Sequence, residues 1–141
     1  MKNAVKFLAV ASLFLALGAL PVAAQGKKSL ILNAPFNFTV EQQKMPAGTY
    51  RILVEHGWLQ IRNEDSNKAA MVLTLPVSGK SPEGIGQVVF NRYGSRYFLS
   101  QVWLPEMEAG RQTLESREEK GLEKREKLEA VVIKLDSQAG R

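Results

Sequence analysis

The chain has 141 residues, of which 45% are hydrophobic and 23% are charged, with no Cys and a formal net charge of +5. This composition is that of one globular domain, and it excludes an intrinsically disordered chain, a sustained coiled coil and a disulfide-stabilised scaffold. Burial of apolar side chains must therefore hold the fold together.

Residues 1–24 have the three-part layout of a secretory signal peptide. Two lysines supply the positive start, the run from 7 to 20 supplies the apolar core, and small residues precede a cleavage point after Ala24. The apolar run is shorter than the roughly 20 residues that span a bilayer, and Pro21 ends it. We therefore expect a periplasmic or secreted product of residues 25–141 with no transmembrane segment.

The positive charge does not indicate a surface that binds nucleic acid. Loss of the leader would remove Lys2 and Lys6 and no acidic residue, which lowers the net charge from +5 to +3. Because the remaining excess is small and dispersed, and because an exported chain does not meet nucleic acid, we expect no nucleic-acid partner.

Between residues 36 and 104, short apolar runs are separated by Gly, Pro, Asn and Ser, a pattern typical of an all-β chain. The first strands are predicted at 36–40 and 50–54, on either side of a turn that contains Pro46 and Gly48. The dipeptide at 56–57 predicts a tight hairpin, and the returning strand runs through Leu59 and Ile61.

The next strand is predicted at 69–75, where apolar residues occupy both faces, so we expect burial on both sides. Residues 76–86 contain two prolines, three glycines and two serines. That composition predicts a mobile surface loop.

The strongest strand signals lie at 87–93 and 96–104, which meet at Gly94-Ser95 and predict a β-hairpin. Four amphipathic rings near the predicted hairpins could bind a partner, and the two arginines beside the turn are suited to an anionic group. Packing of the rings in the core is the alternative interpretation. The candidate binding residues are Trp58, Arg92, Tyr93, Arg96, Tyr97 and Trp103.

Residues 111–129 hold six basic and six acidic side chains and few apolar ones. Ser116 precedes Glu119 at the spacing of a capping box, which predicts a charged helix over about 116–129. A β-branched run at 130–135 predicts a final strand that returns to the sheet.

Few side chains in the chain are suited to catalysis. One histidine and no cysteine exclude Cys–His nucleophilic sites, structural zinc of the usual kind and multi-His metal centres. His56 is predicted to be a turn residue. The oxygen-rich stretch 63–67 is predicted to be a solvated turn, because it lacks the glycine and the terminal glutamate of a calcium loop. We therefore predict no catalytic residue, no metal and no cofactor.

Two segments carry a resemblance to known proteins. The PAGTY segment at 46–50 and the VFNRYGSRYFLSQVW segment at 89–103 resemble recurrent segments of a family of small, exported, β-rich bacterial proteins. The resemblance implies export and a β-rich fold. It carries no established activity and no site residues.

The expected architecture is a compact antiparallel β-sandwich or small barrel of about seven strands, with one charged helix before the last strand. Residues 25–141 are expected to form a non-enzymatic module that binds an envelope or extracellular protein, glycan or lipid through the aromatic hairpin surface or the loop at 76–86. Two alternatives stay open: a carrier of a lipid or small apolar ligand, and an envelope hydrolase that uses carboxylates such as Glu55 and Glu106.

Overall fold

The computed structural model describes residues 28–79, 81, 85–105, 107 and 109–135. The predicted signal peptide at 1–24 and the carboxylate of Glu106 lie outside the described residues.

The described part of the chain forms a mainly β fold of ten strands with one short helix before the last strand. The elements are β1 (Lys28–Ala34), β2 (Phe38–Val40), β3 (Gln43–Met45), β4 (Gly48–Glu55), β5 (Trp58–Asn63), β6 (Ala69–Ser78), β7 (Gln87–Tyr93), β8 (Arg96–Trp103), β9 (Ala109–Thr113), α1 (Arg117–Glu123) and β10 (Leu128–Lys134). The prediction of a mainly β fold with a charged helix before the final strand is confirmed, and the strands outnumber the seven expected.

The strands make one open sheet in which β8 is the branching point. Hydrogen bonding runs from β1 through β4, β5, β6 and β9 to β8, while β7 pairs with β8 and also with β10. The short β2–β3 hairpin joins β8 through a parallel contact between Thr39 and Phe98. All other strand pairs are antiparallel, so the sheet is mixed where a purely antiparallel one was expected.

Strand β6 links the two halves of the sheet. Its first half, through Leu73, pairs with β5, and its second half, from Thr74, pairs with β9. Side chains from the two halves share one buried core, which includes Leu32, Ile52, Ile61, Val88, Phe90 and Val102. The halves therefore pack face to face in a sandwich-like arrangement.

The predicted hairpin between β7 and β8 is confirmed. Tyr93 pairs with Arg96 across a two-residue turn, and Gly94 there has a φ of 61°. Positive φ at the first central residue is the pattern of a type II′ turn, for which glycine is the favoured residue. The hairpin at His56 is also present, and its left-handed φ of 84° falls on Gly57.

Three boundaries in the second half of the chain differ from expectation. The predicted loop at 76–86 begins later, because Pro76 and the next two residues continue β6 and pair with β9. The predicted helix at 116–129 ends at Glu123, and the final strand, expected at 130–135, begins at Leu128.

Helix α1 covers the outer face of the β7–β8 hairpin. The Oγ of Ser116 accepts a hydrogen bond from the backbone N–H of Glu119 at 3.1 Å, as the capping-box spacing predicts. Leu122 packs with Tyr93 and Phe98 in a small second core. Besides this apolar contact, the hydrogen bond from Asn91 to Glu119 and the ion pair of Arg96 with Glu118 fix the helix on the hairpin.

Candidate binding groove

A groove lies where the β2–β3 hairpin, the start of β8 and the turn before β6 come together. It is open to solvent and has a volume of about 430 Å³, within the range of roughly 300–1,000 Å³ that is usual for ligand sites. The groove is lined by Asn37, Phe38, Thr39, Lys44, Met45, Pro46, Lys68, Ser95, Arg96 and Tyr97. We refer to this feature as the hairpin groove.

The Tyr97 ring is enclosed on its faces. The Phe36 ring stacks on it with the centroids 3.7 Å apart and the planes 11° from parallel. The Arg92 guanidinium carbon lies 5.7 Å from the centroid of the same Tyr97 ring. Because Phe36 fills one face, the guanidinium stacks over the other. Both faces of the Tyr97 ring are therefore occupied, and a sugar ring has no free face on which to stack.

The two arginines of the hairpin have acidic partners. Arg96 forms an ion pair with Glu118 of α1, and its guanidinium carbon lies 5.7 Å from the Phe98 ring centroid. Arg92 donates to the carbonyl of Gly94 at 2.7 Å, and its Nη1 lies 3.7 Å from a carboxylate oxygen of Glu129. Their charge is thus partly compensated within the protein.

The lysines of the hairpin groove are different. Lys44 on β3 and Lys68 before β6 are both exposed, and no ion pair joins either of them to another described residue. Within the part of the chain that the structure describes, no Asp or Glu lines the groove. The hairpin groove therefore carries uncompensated positive charge, which favours a negatively charged ligand.

The structure does not bring all six candidate residues together. Arg96 and Tyr97 line the hairpin groove, and Arg92 stacks on Tyr97. Tyr93 and Trp103 are buried, with 1% and 8% of their surfaces exposed, so both rings pack inside the protein. Trp58 lies on β5, opposite Leu73 of β6, in the other half of the sandwich. The alternative interpretation, in which the rings pack in the core, therefore applies to Tyr93 and Trp103.

Sequence reasoning missed the residues that give the groove its charge and its walls. Asn37, Lys44 and Pro46 are far from the hairpin in sequence and reach it through the parallel contact of β2 with β8, while Lys68 reaches the groove on the turn before β6. Neither lysine belongs to a motif. Only the pairing of the strands could have identified them.

A buried acidic group, Glu119 of α1, lies where the helix packs against the hairpin. The Oε1 of Glu119 accepts a hydrogen bond from the Asn91 amide at 2.9 Å. Burial raises the pKa of the Glu119 carboxyl, the Asn91 hydrogen bond lowers it, and the nearby Glu115 and Glu123 raise it again. Burial raises the pKa of Tyr93 to about 12, and the negative charges of Glu119, Glu123 and Glu115 contribute to the same increase. Glu119 and Tyr93 thus lie in the contact between the helix and the hairpin.

The oxygen-rich stretch 63–67 forms a turn with internal hydrogen bonds. The Asn63 Oδ1 accepts from the backbone N–H of Asp65 at 2.8 Å, and Glu64 pairs with Arg51 at 2.8 Å. Across the described ranges, no group of three or more His, Cys, Asp or Glu residues is placed to hold a metal ion.

No helix among the described residues is long and apolar enough to cross a membrane. Comparison with known proteins found no matching family model, no matching curated protein and no matching solved structure.

Proposed function

We propose that the protein is an exported, non-enzymatic binding module whose partner presents negatively charged groups to the hairpin groove. The partner belongs to the envelope or the extracellular medium, and the product is periplasmic or secreted, in keeping with the leader-like segment at 1–24.

A single observation carries the proposal. Lys44 and Lys68 face a groove of about 430 Å³ that no described acidic side chain lines. Charged groups on one wall of a concave surface concentrate the field and attract ligands of opposite sign. The enclosed ring of Tyr97 supports recognition through charge and hydrogen bonds in preference to stacking on a neutral sugar.

The proposal is tested by calorimetric titration with three polymers: poly-L-glutamate, polygalacturonate and neutral dextran. We expect binding to one or both of the anionic polymers and none to dextran. The double variant K44Q/K68Q should weaken binding by tenfold or more. Binding should also weaken as salt rises, because salt screens exposed charges.

A matched control separates the groove from general charge effects. The variant K120Q/K124Q removes two exposed lysines of the α1 region that do not line the groove, and it changes the net charge by the same amount. Its affinity should stay within about twofold of the starting protein. Equal losses in both variants, or release of shorter products from any polymer, would contradict a groove-directed, non-enzymatic role.

A further inference from the structure

The outer face of β4, β5 and β6 carries large apolar side chains in solvent. Met71, Leu73 and Leu75 alternate along β6 and are 64%, 67% and 57% exposed. This finding corrects the expectation that the strand is buried on both sides. Soluble proteins rarely expose a contiguous row of such residues unless the row contacts a partner or a membrane.

Strand register extends this row across the sheet. Trp58 of β5 lies directly opposite Leu73, and Leu53 of β4 reaches the same face through Gln60, which is paired with Met71. Both Trp58 and Leu53 are partly exposed. We call the five apolar residues, Leu53, Trp58, Met71, Leu73 and Leu75, the outer apolar face.

Positive charge borders the outer apolar face. Arg51 and Arg62 are direct cross-strand neighbours on the same side of the sheet. They lie beside Leu53 at one end of the outer apolar face, and Trp58 lies at the other end. Arg51 pairs with Glu64, while no ion pair joins Arg62 to another described residue. Glu55 is the acidic residue opposite Trp58 at the other end.

We infer that the outer apolar face adsorbs to the surface of a bilayer that contains anionic phospholipid. Exposed leucine and methionine side chains enter the interfacial region, a tryptophan at its border prefers the headgroup level, and arginines attract anionic headgroups. A second copy of the chain is the alternative occupant of the same face, and light scattering distinguishes it from a bilayer.

The inference does not depend on the hairpin groove, which shares no residue with the outer apolar face. The test is flotation of the full exported chain with vesicles of phosphatidylcholine alone and of phosphatidylcholine with 30% phosphatidylglycerol. We expect flotation with the second composition and little with the first. The variant M71Q/L73Q should lower the partition coefficient by about tenfold or more.

Two control variants make the result specific. V132Q alters an apolar side chain of β10 that is 49% exposed and lies outside the outer apolar face, so vesicle binding should be unchanged. K44Q/K68Q should also float normally. Brominated phosphatidylglycerol should quench the fluorescence of the starting protein, and W58F should lose this quenching while it still floats, because Trp103 is buried.

Three results would overturn the inference. The first is absence of flotation with anionic vesicles for a folded protein. The second is loss of flotation in K44Q/K68Q but not in M71Q/L73Q, which would assign the lipid contact to the hairpin groove. The third is a concentration-dependent dimer in light scattering that M71Q/L73Q abolishes, which would assign the face to a second copy.

Discussion

Gly110 leaves the space that the Trp103 ring occupies. A Cβ atom at position 110 would lie 2.7 Å from the Cδ2 of that ring, closer than real contacts allow. The ring also donates through Nε1 to the side chain of Gln101 at 3.0 Å, which restricts its movement. We predict that Gly110→Ala lowers the free energy of unfolding by about 1–3 kcal/mol, as overpacking does, measured by urea denaturation. An unchanged urea midpoint would show that the ring moves freely.

The buried Glu119 predicts a pH dependence of stability. Because burial holds its pKa in the folded protein above the unfolded value, the folded state binds a proton more tightly, and stability falls as pH rises through the folded pKa. Glu119→Gln keeps an acceptor for Asn91 and removes the charge. Urea midpoints of the two proteins should be alike near pH 4, and the variant should be the more stable at pH 7. A variant less stable at pH 7 would contradict this account.

At the scale of elements, α1 is a short helix held by its Ser116 cap, by the burial of Glu119 and Leu122, and by the ion pair of Glu118 with Arg96. Gly121 lies in its interior, and a Cβ there would have its nearest atom, in the Arg125 side chain, at 3.8 Å. Gly121→Ala should therefore raise the free energy of unfolding by up to about 1 kcal/mol. Calorimetric melting should show a higher transition temperature, and Gly110→Ala provides a control of opposite sign. A lower temperature would indicate that the helix requires glycine.

The elements differ in how far their sequences predict them. The β7–β8 hairpin was predictable because Gly94 stands between two runs of β-branched and aromatic residues. Strand β9 was not, since its residues Gly110, Arg111 and Gln112 have no strand pattern and are ordered by pairing with β6 and β8. Strand β1 was not predicted either, although residues 30–32 form an apolar run. Arg96 and Tyr97 could be nominated from the hairpin, whereas the groove lysines depend on long-range pairing.

At the scale of the whole molecule, one core joins both halves of the sandwich through the continuous strand β6. The halves should therefore unfold together. In the Trp58→Phe variant, fluorescence reports on Trp103 in the second half alone, while far-ultraviolet circular dichroism reports on all strands. We predict coincident urea transitions for the two signals. Separate midpoints would show that the halves unfold independently.

In the proposed function, the hairpin groove is the surface that binds an anionic partner. Amide hydrogen exchange, measured with and without a saturating amount of the anionic polymer that binds best, tests it most directly. We predict slower exchange in 37–39, 44–47 and 95–97, with no change along β6 at 71–75. Protection confined to other segments, with these three unaffected, would contradict the claim.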